Sequence, residues 1–161
     1  MTFTIKVSTP LNQASDASAA LVSTVLFHRC FGTIKPATNE FCGVTYPVAV
    51  HTETEQLVTQ ARKDVSKLML SEPTRIFLNI DFFERKSKKS SWFAKQQDPV
   101  WESWKLELNI VKADSDRKSQ TTALREAIMN ISMKADSNKT QVPPITSTDV
   151  VPFPVTIDVH I

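Results

Sequence analysis

Only two glycines, Gly32 and Gly43, occur in 161 residues, and this scarcity constrains the chain more than any other feature. A dinucleotide fingerprint needs three glycines within six positions, and a phosphate-cradling loop needs two around a Gly-Lys-Ser/Thr ending. Gly32 and Gly43 stand eleven apart and neither precedes a lysine. Nucleotide binding through a glycine-rich loop is excluded. With 41% hydrophobic and 22% charged side chains, the chain fits one domain able to bury a core without metal or disulfide staples.

The elements follow from periodicity. Residues 2–8 alternate Phe3, Ile5 and Val7 with polar neighbours, as a half-buried strand does, and Pro10 ends them. A helix is expected over 12–30, with Ala14, Ala17, Leu21, Val25 and His28 on one stripe. Residues 41–51 read as extended, and Pro47 argues for an edge position. Thr52 and Glu55 have capping-box spacing before a second helix with the stripe Leu57, Ala61, Val65, Leu68 and Met69, stopped at Pro73. Strands at 74–84 and 101–111 present Ile76, Leu78, Ile80, Phe82 and Trp104, Leu106, Leu108, Ile110 on single faces. A third helix is expected over 116–135 along Leu124, Ile128 and Ile131, then a Ser/Thr/Pro-rich loop over 137–152 and a final strand over 153–161. Strands with one polar face suit an antiparallel sheet covered by helices on one side. The expected class is α+β, in one domain spanning 1–161.

Chemistry is sparse. His28, His51 and His160 fall in different elements without metal-ligand spacing, and Cys30 and Cys42 match no zinc or redox motif. No Gly-x-Ser-x-Gly elbow is present. The pairs Asp81 with Glu84, and Glu102 with Glu107, read as solvated carboxylates on strand surfaces. No enzyme, cofactor or metal is expected. The start lacks a signal-peptide pattern, and 19–27, the longest apolar-leaning run, is too short to span a bilayer. A cytoplasmic chain with reduced thiols and no transmembrane segment is expected.

Two segments call for an explanation. The connection at 86–100 is far longer than the usual hairpin loop and carries adjacent Trp92 and Phe93. Large aromatics left in water forfeit about 2–3 kcal/mol each, so such tips often mark interaction sites; the alternative is that both rings fold back onto the sheet. Around them Arg85, Lys86, Lys88, Lys89 and Lys95 place five positive charges in eleven residues of a chain whose net charge is only +2. That constellation also suits a nucleic-acid or anionic-lipid binding module, or simply a solubilising face. On the third helix Arg125, Met129 and Met133 form a second line beside the core stripe. It reads either as an adaptable contact surface or as the rim of a wide core face.

The run SSWFAKQQDPVWESWKLELNIV, over 90–111, resembles the Trp-Phe finger and following strand of the autophagy-related protein 101 family. The segment LVSTVLFHRC, over 21–30, is similar to that family's first helix, and among its members the chain is most like a fungal one. The resemblance implies a HORMA-like fold with three helices on one face of the sheet. It implies a non-enzymatic scaffold in the autophagy-initiation kinase complex, forming a heterodimer with the HORMA domain of autophagy-related protein 13. Trp92 and Phe93 would be the finger that recruits later-acting factors at the phagophore assembly site, and Arg125, Met129 and Met133 the partner surface. No DNA binding is implied. In animal members one residue separates the two finger aromatics, whereas here they are adjacent. The ending at Ile161 leaves no C-terminal belt, so domain-to-domain pairing is expected in place of peptide clamping.

Overall fold

The computed structural model describes residues 1–85, 98–114 and 116–161. Its elements, in chain order, are β1 (Thr2–Pro10), α1 (Ala14–Phe27), β2 (Lys35–Phe41), β3 (Val44–Val50), α2 (Thr52–Met69), β4 (Arg75–Phe83), β5 (Val100–Val111), α3 (Arg117–Ser137) and β6 (Val155–His160), with short 3-10 turns at Leu11–Gln13 and Lys139–Gln141. The class is α+β, as expected.

Four strands form the main sheet in the order β1-β5-β4-β6. Alternation sends Ile76, Leu78, Ile80 and Phe82 of β4 inward with Trp104, Leu106 and Leu108 of β5 and Ile5 and Val7 of β1, and all are buried. Each such side chain contributes about 1.5–3 kcal/mol by leaving water. The helices close this core: α3 packs on β1, α1 on β5 and α2 on β6. Lys105, Thr156, Asp158 and His160, on the other side of the pleat, are exposed.

The sheet departs from the antiparallel expectation, because β1 runs parallel to β5 while β4 is antiparallel to both β5 and β6. Alternation reports which face of a strand is buried and carries no information on strand direction. The chain between β1 and β5 is long enough for the crossover that a parallel pair needs.

The first helix is shorter than expected, ending at Phe27, and it is no one-sided stripe: every residue from Ala17 to Leu26 is buried. It touches α2, α3, β3 and β5 at once. Its small and β-branched side chains allow that, and its hydroxyls find local acceptors: Ser18 donates to the Ser15 carbonyl at 2.7 Å and Thr24 to that of Ala20 at 2.8 Å. The second helix is not capped as expected. Thr52 lies inside it and His51 is the N-cap, while buried Thr54 donates to the carbonyls of Ala49 and His51, each at 2.8 Å. At α3, Asp116 caps by accepting from the Lys118 amide at 3.1 Å.

The extended region at 41–51 is part of a hairpin, with β2 and β3 forming a separate two-stranded sheet. Its turn residues Cys42 and Gly43 have φ of 51° and 71°. Positive φ at both positions is the type I′ geometry that matches strand twist. Thr121 of α3 secures the turn by donating to the Cys42 carbonyl at 2.9 Å. Gly32 serves close approach instead: a Cβ there would stand 2.9 Å from the Val150 Cα, on a backbone already tied by the Phe31 amide to the Val150 carbonyl at 3.1 Å. Neither backbone can yield easily, so Gly32→Ala is expected to cost about 1–3 kcal/mol. A thermal melt should show a loss of several degrees, and an unchanged melt would mean that the segment at 149–150 moves freely.

Candidate functional site

The α3 line is described in full. Leu124, Ala127, Ile128, Ile131 and Ala135 face the core, whereas Arg125, Met129 and Met133 face solvent. Met129 is 55% exposed and Met133 56%, which places both outside the core and sets aside the reading of a widened core stripe. One helix thus presents an apolar line to water beside the face that holds it in the fold.

A second region lies where β4 and β5 open into the long connection. Arg85 is exposed and stands 3.0 Å from Asp149, so one of the five basic groups is already ion-paired. Trp92, Phe93, Lys86, Lys88, Lys89 and Lys95 lie outside the described residues. At its root, the Glu84 amide donates to the Pro99 carbonyl at 2.9 Å and the Phe83 amide to that of Pro154 at 2.8 Å. The β4–β5 register shifts here, Phe82 opposing Glu102 and Phe83 opposing Val100, which leaves Trp101 as the extra residue of a bulge. Its ring packs 5.0 Å from that of Phe153 and lies under the Arg29 guanidinium at 5.7 Å.

Beneath Trp101 is a group that the sequence reading placed wrongly. Glu102, taken as a solvated strand carboxylate, is fully buried and grips Arg29 bidentately at 2.8 and 2.7 Å. Trp104 donates its indole N–H to the same carboxylate at 2.5 Å, and Arg29 also donates to the His28 carbonyl at 2.9 Å. The signal was present: Glu102 shares the pleat parity of Trp104, Leu106 and Leu108, so it had to face inward with them. The bidentate pair, with Trp104 on the same carboxylate, ties the residue just past the end of α1 to the start of β5.

The other polar candidates do not converge. His28 shares a 3.0 Å hydrogen bond with Ser132, and burial, then the neighbouring Arg29 charge, lower its pKa. His160 pairs with Asp158 at 3.0 Å on the opposite sheet face. Burial, with a smaller contribution from Glu53, pushes the Cys30 thiol up to about 11, away from the reactive thiolate. Among the described residues no three His, Cys, Asp or Glu side chains gather as metal ligands, and no helix is long and apolar enough to cross a membrane.

What these surfaces belong to follows from comparison with known proteins. The chain is 28% identical to autophagy-related protein 101 of Schizosaccharomyces pombe over 131 residues, covering 81% of this chain and 71% of that protein. It is 26% identical to autophagy-related protein 101 of Arabidopsis thaliana over 165 aligned positions, covering 85% of this chain and 77% of that protein. The family model of autophagy-related protein 101 matches residues 6–149, which include the α3 methionines and the ion pair below the long connection. With the match running from β1 to the approach of β6, the chain belongs to the autophagy-related protein 101 family.

Proposed function

We propose that this protein is a non-enzymatic scaffold of autophagy initiation, a single HORMA-like domain that pairs with the HORMA domain of autophagy-related protein 13 inside the initiating kinase complex. Family membership across 6–149 is the observation that carries the reading. The α+β architecture with three helices agrees with a HORMA-like fold, and the exposed Met129 and Met133, with Arg125 one turn before them, supply an adaptable surface suited to a partner. Trp92 and Phe93 are the recruitment finger for later-acting factors, with Arg85, Lys86, Lys88, Lys89 and Lys95 keeping the loop soluble. The protein is cytoplasmic and is recruited to the phagophore assembly site.

The reading is tested by affinity capture from cell extract with mass-spectrometric identification. Recovery of the HORMA partner at equal stoichiometry supports it, and its absence counts against it. The competing module, binding nucleic acid or anionic lipid through the basic loop, separates on salt: phosphate-driven binding falls with a log-log slope of about −0.9 per neutralised phosphate on B-form DNA. Pairing through an apolar surface responds little to salt.

The finger has its own test. If Trp92 and Phe93 act at a tip, the double change Trp92→Ala with Phe93→Ala keeps the denaturant midpoint and HORMA pairing but abolishes recruitment of later factors in cells. Truncation of core rings costs about 3–5 kcal/mol each. Trp104→Ala, which empties a fully buried site, is the internal measure of that cost. A comparable loss in the double variant would return the finger rings to the core.

A further inference from the structure

On the side of β3 that α1 and α2 cover lies a cavity of about 190 Å³. Its apolar lining comes from three elements: Leu26 of α1, Val48 and Ala49 of β3, and Val58 of α2. Two further lining residues hold the walls in place. Ser23 of α1 donates its hydroxyl to the Pro47 carbonyl at 2.9 Å, and Thr54 of α2 donates to those of Ala49 and His51 at 2.8 Å each. The hairpin is thus tied to both helices across the cavity, which belongs to the packed domain and not to a loop.

The same bonds decide what the cavity can recognise. A hydroxyl has one proton, and those of Ser23 and Thr54, both buried, are committed to backbone carbonyls. They can offer an occupant only lone pairs, so a carboxylate or carbonyl carried inward meets no donor from them. At the exposed rim stands Glu55, the one charged side chain of the lining, and its carboxylate has no hydrogen bond or ion pair among the described residues. It is an acceptor only, and its complement is a donor that carries positive charge. Tyr46 adds an aromatic ring to the lining, a further attraction for a cation. An apolar cavity of about 150 Å³ holds one benzene. A volume of about 190 Å³ therefore suits a compact branched or cyclic hydrocarbon with an ammonium attached.

We infer that this cavity binds a small primary amine, its apolar body inward against Leu26, Ala49 and Val58 and its ammonium outward at Glu55. A lysine of a partner protein fits less well. It enters charged end first, which would put the ammonium against buried Leu26 and Ala49 and the stem beside Glu55. The inference depends neither on pairing through α3 nor on the finger.

The test titrates the isotopically labelled full chain with 3-methylbutylamine and follows it by NMR. Two comparators share its body: 3-methylbutan-1-ol lacks the charge, and 3-methylbutanoate reverses it. Saturable shifts are expected at 48–49 and 54–59, with a dissociation constant at or below about 1 mM. The alcohol should bind about five- to tenfold more weakly, and the carboxylate more weakly still. Glu55→Gln keeps the shape of the rim and should abolish the preference for amine over alcohol. Glu53→Gln removes the same charge from the same exposed turn, outside the lining, and should change nothing. Val58→Phe, checked by a thermal melt, should fill the cavity and abolish binding of amine and alcohol alike. The proposal is overturned by the absence of saturable shifts at the lining up to about 10 mM amine, by shifts confined to another surface, or by alcohol and amine binding equally. These three readings use the unmodified chain and need no variant to fold. Equal losses in Glu53→Gln and Glu55→Gln would assign the preference to net charge and overturn the role of Glu55. Binding of N-acetyl-lysine methylamide as tightly as the free amine would give the cavity to a partner's side chain and overturn the assignment to a small molecule.

Discussion

Glu102→Leu is expected to lower stability by about 3–5 kcal/mol, since it leaves the Arg29 guanidinium charged, 2% exposed and without its carboxylate. That is a large fraction of the 5–15 kcal/mol that typically holds a domain folded, and about 2–4 °C of melting temperature accompanies each kcal/mol at this size. Arg29→Met should cost a similar amount for the opposite reason, the stranded group being a fully buried carboxylate. The double variant is the informative one. Removing both charges abolishes the desolvation cost on each side, so it should be more stable than either single variant. Recovery should stop short of complete, because the Trp104 indole N–H, now donating to Glu102, is left buried without an acceptor at a cost of about 1–3 kcal/mol. Glu102→Gln keeps an acceptor for Trp104 but not the charge, and should fall between. Denaturant unfolding of the wild type, Glu102→Leu, Arg29→Met and the double variant gives the coupling energy. Strictly additive losses would mean that the two side chains act independently, contrary to the bidentate geometry.

How far the fold was legible depended on what kind of information each element carries. The faces of β4 and β5 could be read residue by residue because Leu78, Ile80 and Phe82 alternate with Asn79 and Asp81, and Trp104, Leu106 and Leu108 with Lys105 and Glu107. Strand direction is not written in that pattern, so the parallel pairing of β1 escaped. β2 escaped for a different reason: KPATNEF has no apolar period to detect, since the strand buries almost nothing and is held by the Cys42–Gly43 turn and its pairing with β3. The α1 stripe was too narrow a reading because Ser18, Ala19, Ala20, Ser23 and Thr24 fall outside it, yet a helix enclosed on all sides needs such small residues.

The functional surfaces divide in the same way. The α3 methionine line could be picked out because its spacing of four residues is offset from the Leu124 stripe, and the structure puts both methionines in solvent. Glu102 was misplaced when residue type was allowed to outweigh pleat parity, although Trp104, two residues on, fixed the inward direction. The cavity behind β3 could not be found in the sequence at all. Its lining comes from 23–26, 39–49 and 54–59, and their meeting depends on a hairpin whose first strand has no apolar period.

The heaviest loss of binding is expected from the α3 line. Met129 lies outside the core at 55% exposure, so Met129→Asp should leave the stability of the isolated domain within about 0.5 kcal/mol of its original value. In an interface the same change places an unpaired carboxylate where an adaptable apolar side chain met the partner. Truncation of a hot-spot residue near the centre of an interface costs about 2–4 kcal/mol, and a desolvated charge adds to that. At 1.4 kcal/mol per decade, pairing with the HORMA partner should weaken by about 30-fold to 1,000-fold. Met133→Asp, one helical turn on and equally exposed, should behave alike. Thr156→Asp adds the same charge on the open face of the sheet and should leave pairing intact. Calorimetric titration of the three variants separates the possibilities: wild-type affinity in both methionine variants removes α3 from the interface, and loss in all three would assign the effect to net charge and not to place.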